Sequence, residues 1–178
     1  MSQKPEVYIS VDIEASGPIP AEFNMLSLGA CVVGKTNQSF YAEIKPLNGN
    51  FIERAMEVNG LSLTELQTSG EEPAQAVGRF AQWVAEICGE ENRPVFVAFN
   101  ATFDWSFCHW YFMKFLGRDP FGISGLDMKA YFMGMKHCFW SGTVKKKVRA
   151  LYPATTAHTH NALDDAREQA EIFEKMMK

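Results

Sequence analysis

The chain has 178 residues, of which 47% are hydrophobic and 21% charged, with a formal net charge of -4. This length lets residues 1–178 form one domain with a substantial core, and the composition excludes an intrinsically disordered protein. The acidic balance argues against a protein that coats nucleic acid through positive charge alone. No apolar run approaches a membrane span, and the four cysteines are scattered without CxxC spacing, so we expect free thiols in a cytoplasmic protein.

The first third of the chain is predicted to consist mainly of strands. Residues 7–12 form a short apolar run typical of a buried strand, and 25–33 and 39–45 are two further strand-like runs. The turn-like segment 34–38 between the last two predicts an antiparallel meander. Residues 51–58 follow as a short predicted helix that ends at an Asn-Gly pair.

Helices and strands are predicted to alternate in the remainder. Residues 73–88 have the apolar spacing of a helix, and 94–99 form an apolar run typical of a strand buried on both faces. A strongly aromatic helix at 104–116, a short strand at 123–126 and a C-terminal helix from about residue 161 complete the order. This order predicts a three-layer α/β fold, in which a three-strand antiparallel meander and two parallel strands form a mixed five-stranded sheet flanked by helices.

Two acidic residues end the first predicted strand. Asp12 and Glu14 are separated by one residue in the stretch VYISVDIEASG. Because side chains alternate along a strand, both carboxylates point to the same face, a few ångströms apart. Like charges at that separation repel each other unless a cation lies between them. The pair therefore predicts a divalent-metal site, although a D-x-E motif alone is a weak signal.

Three further candidates lie at the ends of predicted elements, where functional groups of α/β folds are usually found. Asp104 begins the aromatic helix, and His160 and Asp165 flank the start of the last helix. Taken singly, Asp104 and Asp165 are each better explained as helix N-terminal carboxylates that interact favourably with the helix dipole. The small side chains of Ala162 and Ala166 allow the last helix to approach the sheet, which would bring Asp165 to the acids of the first strand.

Taken together, DIEASG, NATFDWSF and HNALDDA resemble, in order and spacing, the three exonuclease motifs of the DEDDh (DnaQ-like) family. That family includes RNase T, oligoribonuclease and polymerase proofreading domains. The resemblance spans about residues 7–175 and implies an RNase H-like fold with 3′-to-5′ exonuclease activity. It implies that Asp12, Glu14, Asp104 and Asp165 hold two Mg²⁺ or Mn²⁺ ions, and that His160 is the general base. Carboxylate oxygens suit these hard cations, and two of them fit phosphodiester hydrolysis.

The resemblance also indicates where the substrate binds. The family often has D-x-E-T-G in its first motif, where this chain has Ala15 and Ser16 before the glycine. Asn59 lies in VNGLS, a segment similar to the h-x-G-I element that lines the family's terminal-nucleotide site. These three residues are candidates for substrate contact. The implied substrates are single-stranded RNA or DNA 3′ ends or short oligonucleotides, and a homodimer or a polymerase partner stays open.

Two other functions remain open at this stage, a non-catalytic nucleic-acid-binding module on the same fold and a hydrolase of short oligonucleotides or small phosphodiesters. Lys145–Arg149 (KKKVR) is the one basic cluster, and a solvated helix face is favoured over phosphate contact. We expect His109, His137 and His158 to be structural or exposed. For the aromatic residues at 103–110, core packing is favoured over base stacking.

Overall fold

Five strands form one mixed sheet in the computed structural model, which describes residues 4–178. The spatial order is β3-β2-β1-β4-β5, with β1 to β3 antiparallel and β4 and β5 parallel to β1. The predicted meander plus two parallel strands is therefore confirmed. The strands are β1 (Glu6–Ala15), β2 (Met25–Val32), β3 (Lys35–Glu43), β4 (Arg93–Ala98) and β5 (Leu126–Asp127).

Helices connect and cover these strands. One of them, over 63–69, was not predicted, although the sequence carries its start signal. Ser62 accepts a hydrogen bond from the Glu65 N–H, and Ser-x-x-Glu is a capping-box pattern. The helices of the described residues are α1 (Glu53–Asn59), α2 (Leu63–Ser69), α3 (Pro73–Cys88), α4 (Ala101–Leu116), α5 (Met128–Lys136), α6 (Lys145–Leu151) and α7 (Ala162–Met176).

Several predicted boundaries were wrong by a few residues. The turn between β2 and β3 contains only Val33 and Gly34, whose φ of +79° suits glycine, so β3 begins earlier than expected. Helix α4 begins at 101 rather than 104, because Asn100, two residues after the end of β4, adopts a left-handed φ of +73° and starts the helix there. Strand β5 is two residues long, and Ile123, predicted to be within it, is 91% exposed.

A helical layer covers each face of the sheet. Ile9, Val11 and Ile13 of β1 pack into a core with α3 and α4. Asp12 and Glu14 alternate with these residues and therefore point to the opposite face, where α7 lies across β1 and β2. Within the described chain, no helix has both the length and the apolar character needed to cross a bilayer. All four cysteines are free, as expected.

Candidate active site

A glycine on β2 allows helix α7 to approach the acids of β1. Asp12 pairs with Gly29, and a Cβ atom at position 29 would lie 2.2 Å from the carbonyl carbon of Ala162. No other residue leaves space for the first turn of α7 at this place. As a result, Asp12, Glu14 and Asp165 each have a carboxylate oxygen within 4.8 Å of the others. The predicted approach of these three acids is borne out by this geometry.

The fourth predicted acid, Asp104, reaches the same centre from α4. Its Oδ1 accepts a hydrogen bond of 3.1 Å from the backbone N–H of Ile13, the residue between Asp12 and Glu14. The paired register of β1 with β4 ends at Ser10, so the Asp104 carboxylate satisfies a backbone donor beyond the last strand pair. This is the crevice at the carboxyl ends of neighbouring strands where α/β folds bind ligands.

Two histidines face the acids from the segment before α7. His160 is exposed and has a left-handed φ of +58°, an uncommon conformation for a residue other than glycine. Its ring centroid lies 4.5 Å from that of His158. The His158 Nδ1 is 2.8 Å from Asp165 Oδ2, and the Thr159 N–H donates to Asp165 Oδ1. His158 is exposed, as expected, but it also contacts Asp165, a predicted metal ligand.

A buried carboxylate directs part of the basic cluster inward. Glu168 of α7 is fully buried, and its oxygens lie 2.7 Å from Lys145 Nζ and 2.8 Å from Arg149 Nη1. The Lys145 Nζ also lies 3.1 Å from His158 Nδ1. The prediction of a solvated helix face is wrong for Lys145 and Arg149, whose charges are needed to compensate the buried Glu168.

Gln169 lies in the candidate site although it was not predicted from the sequence. Its side-chain amide donates to Asp12 Oδ1, and its carbonyl oxygen accepts from the Phe99 N–H at 2.7 Å. It thereby orients one carboxylate of the cluster against the end of β4. Gln169 is four residues after Asp165 on the same helix, so the i, i+4 spacing was an available signal.

The acids sit around a hollow of about 220 Å³ that they share with Lys145 and both histidines. Burial and the neighbouring Asp104, Glu14 and Asp165 raise the pKa of Asp12 well above its usual value. Burial and the charges of Asp165 and Asp104 raise the pKa of Glu14 to about 8. Burial raises the pKa of Asp104 to about 7, and the positive charge of Lys145 opposes the rise at all three acids. Such a cluster binds protons or cations, and its oxygen ligands suit a hard divalent metal.

A second, larger and mostly apolar hollow of about 440 Å³ adjoins the first. Glu14 and Phe103 line both hollows, and Ala15, Ile52 and Val58 line the larger one. The predicted position of Ala15 beside the substrate fits this wall. Core packing was expected for Phe103, yet it is only partly buried and presents part of its ring to both hollows.

The other two candidates for substrate contact have roles within the fold. Ser16 is fully buried, and its hydroxyl donates to Asn50 O at 2.8 Å and accepts from Asn24 N–H at 2.9 Å. These bonds argue against the predicted substrate contact through this side chain. The Asn59 Nδ2 donates to the Ala15 carbonyl oxygen at 3.2 Å, so Asn59 supports the wall of the larger hollow.

The remaining histidines and aromatic residues are structural or exposed, as expected. His109 Nδ1 is paired with Asp119 Oδ2 at 2.8 Å, next to the stacked ring of Trp105. His137 is exposed where α5 ends, and Phe107 is fully buried in the core.

Comparison with known proteins identifies the family. The sequence matches the exonuclease family RNase_T over residues 9–173. The chain belongs to this family. It is 44% identical over 168 residues to the 3'-5' DNA exonuclease Cap18 of Escherichia coli, a match that covers 94% of this chain and 90% of that protein. The protein is therefore an enzyme, a 3′-to-5′ exonuclease, and the alternative of a non-catalytic binding module is set aside.

Solved structures of this exonuclease class have the same fold. The nuclease domain of 3'hExo, a DEDDh family member bound to rAMP, superposes with a TM-score of 0.76 at 12% identity, covering 99% of this chain and 94% of that one. Escherichia coli exonuclease I in complex with a dA16 oligonucleotide has a TM-score of 0.74 at 15% identity, covering 95% of this chain and 40% of that one. The RNase H-like architecture and the DEDDh resemblance are thus confirmed.

Proposed function

We propose that this exonuclease removes nucleotides from the 3′ end of single-stranded DNA by two-metal phosphodiester hydrolysis. The observation that carries the proposal is that Asp12, Glu14, Asp104 and Asp165, from three separate elements, line one hollow together with His160. The identity of 44% with an enzyme named as a DNA exonuclease supports DNA over RNA.

The four carboxylates form the proposed metal site. Oxygen ligands that repel one another suit Mg²⁺ or Mn²⁺. When bound, two such ions screen charge on the phosphoryl oxygens and lower the pKa of the attacking water. Asp12, Glu14 and Asp165 are mutually within reach of one cation, and the backbone bond of Asp104 orients its carboxylate toward them. The amide of Gln169 fixes the orientation of Asp12.

His160 is the proposed general base. Its exposed imidazole faces the hollow, whereas His158 is already engaged by Asp165. A histidine in this position accepts the proton of the attacking water, which contributes about 10²–10⁴-fold to the rate. Lys145 brings a positive charge to the same hollow and is suited to stabilise negative charge that develops on the phosphate.

The larger hollow is the proposed seat of the terminal nucleotide. Its volume of about 440 Å³ is within the range of roughly 300–1,000 Å³ typical of small-ligand pockets. Ala15, Ile52, Val58 and Phe103 offer an apolar wall for one base beside Glu14. We take residues 1–178 as one exonuclease domain, and the four free thiols suit a reducing compartment such as the cytoplasm.

A hydrolase of short oligonucleotides would use the same centre. The net charge of -4 favours this second candidate, because the overall charge of the molecule does not attract a long polyanion. Substrate length therefore separates the two candidates.

The test is hydrolysis of a 20-mer and a dinucleotide, as DNA and as RNA, with Mg²⁺ or Mn²⁺. A 5′-labelled single-stranded DNA 20-mer should give a ladder of shortened products that disappears with EDTA and with Asp12→Ala. The matched control is Asp164→Ala, since the neighbouring Asp164 side chain is 42% exposed and outside the acid cluster. Internal cuts would contradict the exonucleolytic mode, faster cleavage of RNA would contradict DNA as substrate, and turnover confined to the dinucleotide would support the second candidate.

A further inference from the structure

Positive charge is concentrated in one segment of this acidic chain. Residues 128–163 contain six lysines and arginines and no aspartate or glutamate, whereas the other residues contain 11 basic and 21 acidic ones. The segment comprises α5, a short 3₁₀ turn over Trp140–Gly142, helix α6, the approach to α7 and the first two residues of α7. Glu168 offsets charge of Lys145 and Arg149. The charge of the other four lysines is the electrostatic footprint of a polyanion site on a protein of negative net charge.

Large apolar side chains are exposed in the same segment. Phe139 is 88% exposed and Trp140 is 52% exposed. The Lys129 Nζ lies 4.3 Å from the centroid of the Trp140 ring. We define the aromatic-basic surface as these residues and their exposed neighbours around the start of α6. It consists of the half-buried Lys129 and the exposed Phe139, Trp140, Val144, Lys146 and Lys147.

The backbone beneath this surface is held by the core. Thr143 is fully buried, and its hydroxyl donates to the Trp140 carbonyl oxygen at 2.8 Å. Val148 of α6 is also fully buried, in a hydrophobic cluster with residues of β4, α5 and α7. Phe139 and Trp140 are therefore presented to solvent from a fixed turn, so a ligand need not order this segment in order to bind.

Helix α6 connects this surface with the active site. Lys145 lies in the hollow of the acids and contacts Glu168 at 2.7 Å, whereas Lys146 and Lys147 point to solvent. Successive residues of one helix turn thus join the catalytic hollow to the aromatic-basic surface. A strand with its 3′ end in the hollow has this surface next to it.

We propose that the aromatic-basic surface binds the substrate strand on the 5′ side of the nucleotide being removed. Bases stack on Phe139 and Trp140, and phosphates contact Lys146 and Lys147. Aromatic rings interleaved with basic side chains are how single-stranded nucleic acids are bound without sequence preference. The inference rests on the proposed single-stranded substrate. The charge of the segment favours a polyanion over an apolar protein partner.

The test separates binding from catalysis. Affinity for a fluorescent single-stranded DNA 20-mer is measured by anisotropy in EDTA, over a range of salt concentrations. We expect Phe139→Ala/Trp140→Ala to weaken binding about tenfold or more. Lys146→Ala/Lys147→Ala should also weaken it and reduce the salt slope by about 1.4, which is about 0.7 for each lost phosphate contact.

The control is the double variant Lys35→Ala/Lys178→Ala. Both lysines are exposed. Lys35 follows the β2–β3 turn, in which the Val33 N–H donates to the Tyr8 carbonyl oxygen. Tyr8 lies near the start of β1, at the opposite end of that strand from the acids. This variant should bind within about twofold of the wild type after the same charge loss. Turnover of a dinucleotide should also be unchanged in every double variant, because so short a substrate does not reach the surface.

Three results would overturn the inference. Unchanged affinity of the variants for the 20-mer would do so. An equal loss of turnover on the dinucleotide and on the 20-mer would also do so, with the melting temperature used to show that the variant is folded. Unchanged strand binding combined with a change in oligomeric state would assign the surface to a protein contact. A failure of the proposed function would look different, because the wild type would then show no metal-dependent turnover even if the anisotropy measurements succeeded.

Discussion

Asp12 combines a proposed role in metal binding with a destabilising effect on the metal-free fold. Its carboxylate is crowded by three others, and its pKa is raised by burial and by their charges. Replacement by asparagine keeps an oxygen for the Gln169 amide and removes the charge. We therefore expect Asp12→Asn to abolish hydrolysis and to raise the melting temperature in EDTA, by about 2–4 °C for each kcal/mol of repulsion relieved.

The measurement is thermal unfolding in EDTA combined with the exonuclease assay. Asp164→Asn is the matched control, since Asp164 directly precedes Asp165 in α7 and its side chain is 42% exposed. This control should change neither quantity appreciably. A lower melting temperature for Asp12→Asn would show that the carboxylate stabilises the metal-free fold, contrary to the argument from crowding.

The two neighbouring histidines should have separable effects. His160→Ala removes the proposed proton acceptor and should lower kcat by about 10²–10⁴-fold without loss of the fold. His158→Ala removes a contact to Asp165 and should reduce activity less, chiefly through weaker metal binding. Titration of activity with Mn²⁺ distinguishes them, because excess metal should restore the His158 variant only. If excess metal restored the activity of His160→Ala instead, His160 would be the residue that supports metal binding and His158 the proton acceptor.

At the scale of elements, the close approach of α7 to β2 decides whether the site forms. A Cβ at Gly29 would meet backbone atoms of Ala162 and Leu163 at 2.2–2.3 Å, and backbone cannot rotate away as a side chain does. We expect Gly29→Ala to destabilise the fold by about 1–3 kcal/mol. It should also displace Asp165 from Asp12, and a shift of about 1 Å can lower the rate about 10²-fold.

Gly78 offers the matched control for this substitution. It lies within α3, and a Cβ there meets nothing within 4 Å. Gly78→Ala should leave activity unchanged and stabilise the protein by up to about 1 kcal/mol. Unfolding curves and specific activity of the folded fraction provide the measurement. Normal activity of Gly29→Ala would mean that α7 does not need this contact to deliver Asp165.

At the scale of the whole molecule, the acid cluster couples folding, pH and metal binding. The pKa of Glu14 is raised from 4.5 to about 8 and that of Asp104 from 3.8 to about 7. Between the usual pKa and the raised pKa of each group, the native state binds more protons than the unfolded state. Without metal, these groups therefore lower the free energy of unfolding as pH rises from about 4 to 8.

Metal ions should reverse this trend, because they bind the deprotonated carboxylates. We expect Mg²⁺ or Mn²⁺ in excess to raise the melting temperature by several degrees at pH 8.5 and scarcely at all at pH 5. Parallel scans with metal and with EDTA across that range provide the measurement. In the Asp12→Asn variant, metal should raise the melting temperature by less than in the wild type at every pH. An increase independent of pH would place the stabilising ion outside the acid cluster.

Much of the fold and the positions of the acids could be predicted because the relevant signals are local. Alternation along β1 separates Ile13 from Asp12 and Glu14, whatever the rest of the chain does. The Ser62–Glu65 capping pattern would have revealed α2 by the same local reasoning. Strand and turn ends were less well predicted, since they depend on where a neighbouring strand stops.

The sequence by itself determined the strand order of the meander, the shared face of Asp12 and Glu14, and the three motifs that identify the family. Only the tertiary structure decided that Lys145 and His158 complete the centre and that Gln169, which helical spacing places near Asp165, contacts Asp12. These contacts join distant parts of the chain, such as Asp12 and Gln169, which are 157 residues apart. They depend on how closely α6 and α7 pack against the sheet, and packing distance is a property of facing surfaces that no local pattern encodes.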